Sequence, residues 1–154
     1  MPKRIDPNTL PETVGTLYPP PFDKPCRARG RRRLGDAARL TQYGVNLLRL
    51  PPGVWSSQRH WHTKQDEFVY VVSGEITLVT DEGEETLKAG DCAGFKANDG
   101  NAHRLVNRSN RDAVYIEVGT RSPNERVHYP DDDLHMVREG RTARWLHKSG
   151  EPYT

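Results

Sequence analysis

The pattern that most restricts the fold lies between residues 43 and 119, where short runs of β-branched and aromatic residues alternate with turn-forming residues. EFVYVV (67–72) ends at Ser73-Gly74, and EITLVT (75–80) ends before Asp81-Glu82-Gly83. Runs of this length and composition, bounded by glycine, asparagine and aspartate, are typical of strands. Their close spacing predicts an all-β antiparallel sandwich or barrel and argues against an α/β fold.

The two ends of the chain differ from this middle part. Seven of the twelve prolines lie in the first 25 residues, and because proline lacks a backbone donor and fixes φ, a regular helix or a central strand is not expected there. We predict an extended, proline-rich N-terminal arm over residues 1–40 that lies across its own barrel or a neighbour's. Residues 123–154 are predicted to form an irregular C-terminal tail packing on the barrel. Around 131–145 the apolar residues are sparse and Gly140 interrupts the pattern, which indicates loop with at most a short strand.

Composition limits the remaining classes. A chain of 154 residues suits one domain with one core. No apolar stretch approaches the roughly 18 residues of a membrane span, and the N-terminus lacks the apolar run of a signal peptide, so we expect no membrane association and a cytoplasmic location. Cys26 and Cys92 fit neither a disulfide framework nor a CxxC metal pattern, and Cys92, in an apolar segment, is expected to be a small buried residue.

Four residues have the types and spacing of a metal site. His60 and His62 are two apart, so on a strand their side chains point to the same face with Cα atoms roughly 6.5 Å apart, while Trp61 points to the other. Glu67 follows after a short turn, and His103 opens a later strand beyond a polar loop. Three neutral imidazoles and one carboxylate suit a single divalent ion such as Zn, Fe, Mn, Ni or Co. Four protein ligands leave one or two positions for water or substrate.

These residues occur in a motif that resembles the first motif of the cupin superfamily. The motif comprises Gly53, His60, His62, Glu67 and Gly74. Its final spacings match those of the family, and the gap after Gly53 is one residue longer than usual.

The second cupin motif is also present. It starts at Gly90, continues through Gly100-Asn101-Ala102-His103 and ends at Asn107. Lys96 stands where the family usually has proline, and the loop is about two residues longer. Both motifs in order, with every ligand present, are a far more specific signal than a lone His-x-His.

The resemblance implies a double-stranded β-helix, or jelly-roll, cupin barrel over residues 41–122. It places the metal inside the mouth of the barrel, held by His60, His62, Glu67 and His103. The segments HYPDDDL (128–134) and HKSGEPY (147–153) are also similar to small bacterial cupins labelled as sugar-phosphate isomerases. That label implies an activity by analogy of fold.

Other polar and aromatic residues have simpler interpretations. Five arginines lie between Arg27 and Arg33; an anion site is one reading, but we favour a solvated arm or pairing with Asp131 to Asp133. Interleaved aromatic residues, typical of single-strand binders, are missing there, so nucleic acid is not expected as a partner. The remaining histidines are expected to be surface side chains: His128, His135 and His147. Four aromatic residues of the strands are expected to lie in the core more than in a pocket: Tyr43, Trp55, Phe68 and Tyr70.

Three kinds of function fit these observations, and the third is a structural or interaction role in which the proline-rich arm builds a homodimer. The first is a metal-dependent enzyme acting on a small polar or anionic metabolite, as a sugar or sugar-phosphate isomerase or, with iron, as a dioxygenase. The second is a non-catalytic cupin that binds or senses a small molecule through the same metal. No separate general base is evident in the sequence, so the catalytic residues stay unassigned. In each case we expect a homodimer built with the N-terminal arm, because open sheet edges in small barrels are commonly covered by pairing.

Overall fold

Antiparallel strands dominate the computed structural model, which describes residues 3–154. The strands are β1 (Thr13–Val14), β2 (Gly30–Arg33), β3 (Tyr43–Leu50), β4 (Trp61–His62), β5 (Glu67–Ser73), β6 (Glu75–Thr80), β7 (Gly83–Lys88), β8 (Cys92–Phe95), β9 (Arg104–Val106), β10 (Ala113–Thr120), β11 (Asn124–His128), β12 (His135–Glu139) and β13 (Thr142–Leu146). The helical elements are short: α1 (Leu34–Ala37) and two 3-10 turns at Pro7–Thr9 and Lys24–Cys26.

The strands form three sheets, and every pair of neighbours runs antiparallel. The six-stranded sheet has the order β1-β2-β3-β10-β5-β8, the four-stranded sheet the order β13-β12-β11-β4, and the three-stranded sheet the order β7-β6-β9. The long strand β10 lies between β3 and β5 and pairs with both. The predicted all-β class and the cupin β-barrel fold are confirmed.

Strand alternation decides which side chains fill the barrel. On β5, Val69 and Val71 are buried, and Tyr115 on β10 is buried beside them. The three-stranded sheet supplies Ile76, Leu78 and Leu105 to the same core. A second core joins the end of the barrel to the terminal segments and contains Tyr18, Cys26, Val127, Tyr129, Leu134 and Met136. Buried polar side chains include His60, next to the start of β4, and His103, next to the start of β9.

The N-terminal arm has more regular structure than the prolines suggested. Its strand β2 pairs with β3 over four residues and so enters the six-stranded sheet, and α1 forms one helical turn. All seven prolines of the arm precede residue 26, so β2 keeps its backbone donors and can pair. The arm also lies on its own barrel, since Tyr18 and Cys26 are buried in the second core.

The C-terminal tail was predicted to be irregular, and this detail is wrong. β11, β12 and β13 form consecutive antiparallel hairpins that extend to β4. Gly140, which seemed to interrupt a pattern, has φ +62° and forms the turn between β12 and β13. A glycine that forms a turn and a glycine that interrupts a helix look the same in a sequence, because both roles follow from the conformational freedom of glycine.

Several predicted core residues lie on the outer face instead. Phe68 and Tyr70 alternate with the inward Val69 and Val71, and each is more than two fifths exposed, as is Tyr43. Which alternate residues of β5 point inward depends on the face that packs against the second sheet. A run of consecutive apolar residues does not show which face that is. Cys92, predicted to be buried, is exposed for the same reason, since it pairs with Tyr70 across β5 and β8.

Trp55 packs partly buried against the second core, with the Arg104 guanidinium 3.9 Å above its ring. Among residues 3–154, the short helices lack the length and apolar character needed to cross a bilayer.

Two turn glycines provide a test of the packing between β5 and β10. Gly74 and Gly53 have similar positive φ values, +75° and +81°, but a Cβ on Gly74 would lie 2.6 Å from the Asp112 backbone oxygen, whereas a Cβ on Gly53 would meet nothing within 4 Å. Gly53→Ala should therefore lower the free energy of unfolding by about 1–2 kcal/mol, the cost of the left-handed backbone. Gly74→Ala should cost about 1–3 kcal/mol more, because backbone must also move. Urea unfolding measures both, and equal losses would contradict the predicted clash.

Candidate metal centre

Backbone pairing brings the predicted ligands together from three parts of the chain. His60 forms an antiparallel bridge with His103, in which the His60 N–H donates to the His103 carbonyl at 3.0 Å and the reverse bond is 2.9 Å long. His62 lies on β4, which pairs with β11. Glu67 is the first residue of β5. Trp61, between the two histidines, stacks on His128 with ring centroids 4.3 Å apart.

The imidazoles converge on the carboxylate of Glu67 through the same ring nitrogen. His62 Nε2 lies 2.6 Å from Glu67 Oε1, and His103 Nε2 and His60 Nε2 lie 2.8 Å and 3.8 Å from Oε2. The ligand atoms of His60, His62 and Glu67 all lie within 4.8 Å of one another, so this group could hold a metal ion. His103 contacts Glu67 but does not belong to that tight group.

A second layer of contacts fixes the ring of His60. Its Nδ1 lies 2.8 Å from the Gln58 carbonyl and 3.2 Å from Ser57 Oγ. A carbonyl only accepts hydrogen bonds, so Nδ1 carries the proton and Nε2 presents its lone pair to the centre. This is the tautomer that an Nε2 metal ligand requires.

His62 has a buried carboxylate behind it. Its Nδ1 lies 3.6 Å from Glu125 Oε2, the Glu125 side chain is fully buried, and Nδ1 has no closer partner among the described residues. Glu125 is held in place by the backbone N–H groups of Thr63, Lys64 and Arg126 at 2.7–3.2 Å. Sequence reasoning missed Glu125, because only the pairing of β11 with β4 brings it behind His62.

His103 is held by stacking instead. Its ring lies parallel to Phe95, with centroids 3.6 Å apart and an angle of 6° between the planes. Its Nδ1 is buried without a hydrogen-bond partner among the described residues. Phe95 therefore sets the plane of this ring, while Glu67 sets the direction of Nε2.

Burial and nearby charge shift the pKa values of His62 and His103 in opposite directions. Burial alone lowers the pKa of His62, but the negative charges of Glu67 and Glu125 and the close contact with Glu67 outweigh it and raise that pKa to about 10. Burial lowers the pKa of His103 to about 4. The pKa of Glu67 falls well below its ordinary value, because the charge of His62 and the hydrogen bonds of the histidines overcome the effect of burial. The Glu67 carboxylate and the neutral His103 imidazole are thus ready to bind a cation, whereas His62 must first lose a proton.

The four residues line one inner cavity of about 180 Å³. Its other polar walls are formed by Arg29, Ser57, Tyr18 and Glu117. A second, outer cavity of about 200 Å³ is reached by His62 and His103 alone among the four. Lys96 lines that outer cavity beside Trp61.

The Arg27–Arg33 cluster divides between solvent and barrel. Arg27 is exposed and pairs with Asp23 at 2.8 Å, whereas Arg29 lines the inner cavity. The predicted pairing with Asp131 to Asp133 does not form: Asp131 is bound at 2.8 Å by Arg59.

His147, predicted at the surface, is half-buried and lies 2.7 Å from Asp133.

Comparison with known proteins places this architecture in a family. The cupin domain family model matches residues 46–119. A sugar phosphate isomerase of the cupin superfamily from Silicibacter pomeroyi has 41% sequence identity and a TM-score of 0.94, covering 99% of this chain and 97% of its own. The fold and site define a small β-barrel with an internal histidine–carboxylate group that could bind a metal ion. The chain belongs to the cupin superfamily.

More distant structures agree on the fold. A protein from Acidithiobacillus ferrooxidans, provisionally named a sugar phosphate isomerase, is 28% identical with a TM-score of 0.75 over 82% of this chain and 81% of its own. The polyketide cyclase RemF from Streptomyces resistomycificus is 19% identical with a TM-score of 0.62 over 78% and 80%, and shares the fold alone. None of the curated protein sequences compared with the chain matches it.

Glu125→Ala should weaken metal binding. Without the carboxylate, the buried Nδ1 of His62 loses its nearest acceptor, and loss of such an outer partner typically lowers metal affinity roughly 10- to 100-fold. Competition with a chromophoric zinc chelator measures the change. Glu125→Gln keeps an acceptor oxygen and should lose less zinc affinity. Glu139 is an exposed carboxylate on β12, and Glu139→Gln should leave the zinc affinity unchanged. A folded Glu125→Ala protein with unchanged zinc affinity would contradict the role of Glu125.

Metal binding should release about one proton near neutral pH. Metal-free His62 is protonated there because its pKa is raised to about 10, and a ligated imidazole must be neutral. The apparent zinc affinity should accordingly rise about tenfold per pH unit below that pKa. Calorimetry in two buffers of different ionisation enthalpy counts the protons. A count of zero would show that His62 is already neutral or does not bind the ion.

Proposed function

We propose that this protein is a metal-dependent enzyme acting on a small anionic metabolite, of the sugar-phosphate isomerase kind, with His60, His62, Glu67 and His103 as the metal ligands. One observation carries the proposal: all four side chains line a single inner cavity, together with the hydroxyl groups of Ser57 and Tyr18 and the charged groups of Arg29 and Glu117. The 41% identical Silicibacter pomeroyi protein, which covers nearly the whole chain, is named a sugar phosphate isomerase.

The donor set suits the ion. Three imidazole Nε2 atoms facing one carboxylate form a borderline set that favours Zn, Fe, Mn, Ni or Co over Mg or Ca. His103 reaches the same carboxylate as the other two histidines, which supports it as the fourth ligand. A bound divalent ion would supply Lewis-acid polarisation of a carbonyl or hydroxyl oxygen.

The remaining groups of the cavity are suited to hold the metabolite. Ser57 and Tyr18 offer hydroxyl groups, and Arg29 offers positive charge for a phosphate or carboxylate. Val69, Leu105 and Phe95 form the apolar part of the wall and limit the water around the ligand. Two alternative functions would use the same metal site: iron-dependent dioxygenation, and binding of a ligand without turnover. Measurements of turnover, dioxygen consumption and ligand recovery distinguish them from isomerisation. The predicted homodimer and cytoplasmic location stay predictions.

The test is turnover of sugar phosphates by protein loaded in turn with each of the five metals. Nuclear magnetic resonance of triose, pentose and hexose phosphates should show an isomer forming with at least one metal, and no reaction with metal-free protein. His62→Ala should abolish the reaction while the unfolding transition is retained. His147→Ala, a histidine outside the site, is the matched control and should keep the activity.

Three other results would each overturn the proposed isomerase. Equal turnover with and without metal excludes metal dependence. Dioxygen consumption with iron alone indicates the dioxygenase. A sugar phosphate that raises the melting temperature and is recovered unchanged after long incubation indicates a binding protein.

A further inference from the structure

The inner cavity contains a carboxyl group that the metal site does not use. Glu117 lies on β10, two residues after the buried Tyr115, so its side chain points to the inside of the barrel. It lines the same cavity as all four metal-site residues. Its neighbours across the sheet are Asn46 on β3 and Val69 on β5.

The Glu117 carboxyl is weakly satisfied by protein. Among the described residues it has one hydrogen-bond donor, the Asn46 side-chain amide, at 3.4 Å. Burial raises the pKa of this carboxyl, the negative charge of Glu67 adds to the rise, and Arg29 opposes it. A carboxyl group in such surroundings is costly for folding, and a purely structural position would be filled better by an apolar or amide side chain.

Arg29 provides a positive charge at the same wall. Its two terminal nitrogens donate to the Ser56 and Gly15 carbonyls at 2.7 Å and 3.4 Å, while its Nε is buried without a partner. Within residues 3–154 no carboxylate forms an ion pair with it, in contrast to Arg27, Arg32, Arg49 and Arg59. The guanidinium is thus fixed by neutral carbonyls and keeps its charge available to the cavity.

We propose that Glu117 transfers a proton between two adjacent carbon atoms of a small anionic hydroxy aldehyde or hydroxy ketone bound in this cavity, with Arg29 holding the anionic group. The proposal rests on the proposed isomerase function and assigns the general base that the sequence did not reveal. It requires a metabolite that spans the cavity between the metal-site residues and the wall formed by Glu117 and Arg29.

The proton transfers balance without any further reactant. The Glu117 carboxylate removes the proton from the carbon that bears the hydroxyl, and the electron pair of that C–H bond forms a carbon–carbon double bond as the carbonyl oxygen becomes negative. The carboxyl proton of Glu117 exchanges with solvent while the double bond exists, and Glu117 then gives a proton to the former carbonyl carbon. The hydroxyl proton passes to the other oxygen, so the carbonyl and the hydroxyl exchange places and Glu117 is again a carboxylate. General base catalysis of this kind contributes typically 10²–10⁴-fold to a rate.

Glu117→Gln tests the proton transfer in the metal-loaded protein. Dihydroxyacetone phosphate, ribulose 5-phosphate and fructose 6-phosphate are incubated in D₂O, and nuclear magnetic resonance follows isomer formation and deuterium uptake beside the carbonyl. The wild type should form product and take up deuterium, and Glu117→Gln should be at least about 100-fold slower in both. The variant should still bind one equivalent of metal and should unfold at the same or a higher temperature, because a half-buried carboxyl has been replaced by a neutral group of the same size.

A matched carboxylate and a matched arginine serve as controls. Glu85→Gln, an exposed residue on β7, should keep wild-type rates. Arg29→Gln should raise KM about tenfold or more with a smaller change in kcat, whereas Arg27→Gln, exposed and two residues away, should change neither. Glu117→Asp keeps the carboxyl but shortens its reach, and should recover part of the activity that Glu117→Gln loses.

The outcomes separate this proposal from the proposed function. Metal-dependent turnover that Glu117→Gln leaves within twofold of the wild type would overturn the role of Glu117 and leave the isomerase standing. Turnover that lacks deuterium uptake and is insensitive to Glu117→Gln would indicate hydride transfer and would also overturn it. No turnover of any sugar phosphate by the wild type would remove the isomerase and this inference together. Loss of activity with full metal content and an unchanged unfolding temperature supports the proposal.

Discussion

The two backbone hydrogen bonds between His60 and His103 are the contact on which the rest of the site depends. They join the start of β4 to the start of β9, and so place two imidazoles side by side with ring centroids 4.6 Å apart. Glu67, at the start of β5, then lies within hydrogen-bond distance of His103 and His62. His60, His103 and Glu67 therefore meet where the strands β4, β9 and β5 begin.

Carboxylates inside the barrel carry a free-energy cost, which neighbouring groups offset to different degrees. Glu67 is stabilised as a carboxylate by three histidines, and Glu125 by backbone N–H groups and Thr63. Glu117 has one long hydrogen bond and no cationic ion-pair partner among the described residues. A charged group that lines a cavity and that the fold leaves poorly satisfied is a candidate for function, since its free-energy cost must be offset elsewhere. This contrast distinguishes the carboxylates that build the site from the one assigned to act in it.

Sequence reasoning succeeded where a pattern is local and failed where it depends on pairing. His60, His62 and Glu67 are close in sequence, and the cupin resemblance identified them and His103 from the sequence alone. Glu117 sits in a strand that otherwise reads as apolar, and Glu125 in a segment predicted to be irregular, so neither showed a local signal. The outward positions of Phe68 and Tyr70 and the exposure of Cys92 were missed because β5 is apolar at consecutive positions, and its phase depends on the opposite sheet.

The sequence by itself determined the fold class, the family and the residues that could ligate a metal ion, because strand periodicity, turn glycines and ligand spacing are all properties of neighbouring residues. Only the tertiary structure decided that β11 lies against β4 and brings Glu125 behind His62. It also placed Glu117 and Arg29 on the wall of the cavity that receives His60, His62, Glu67 and His103. Residues far apart along the chain meet through sheet register, and register is set by the packing of whole faces, which no short stretch of sequence contains.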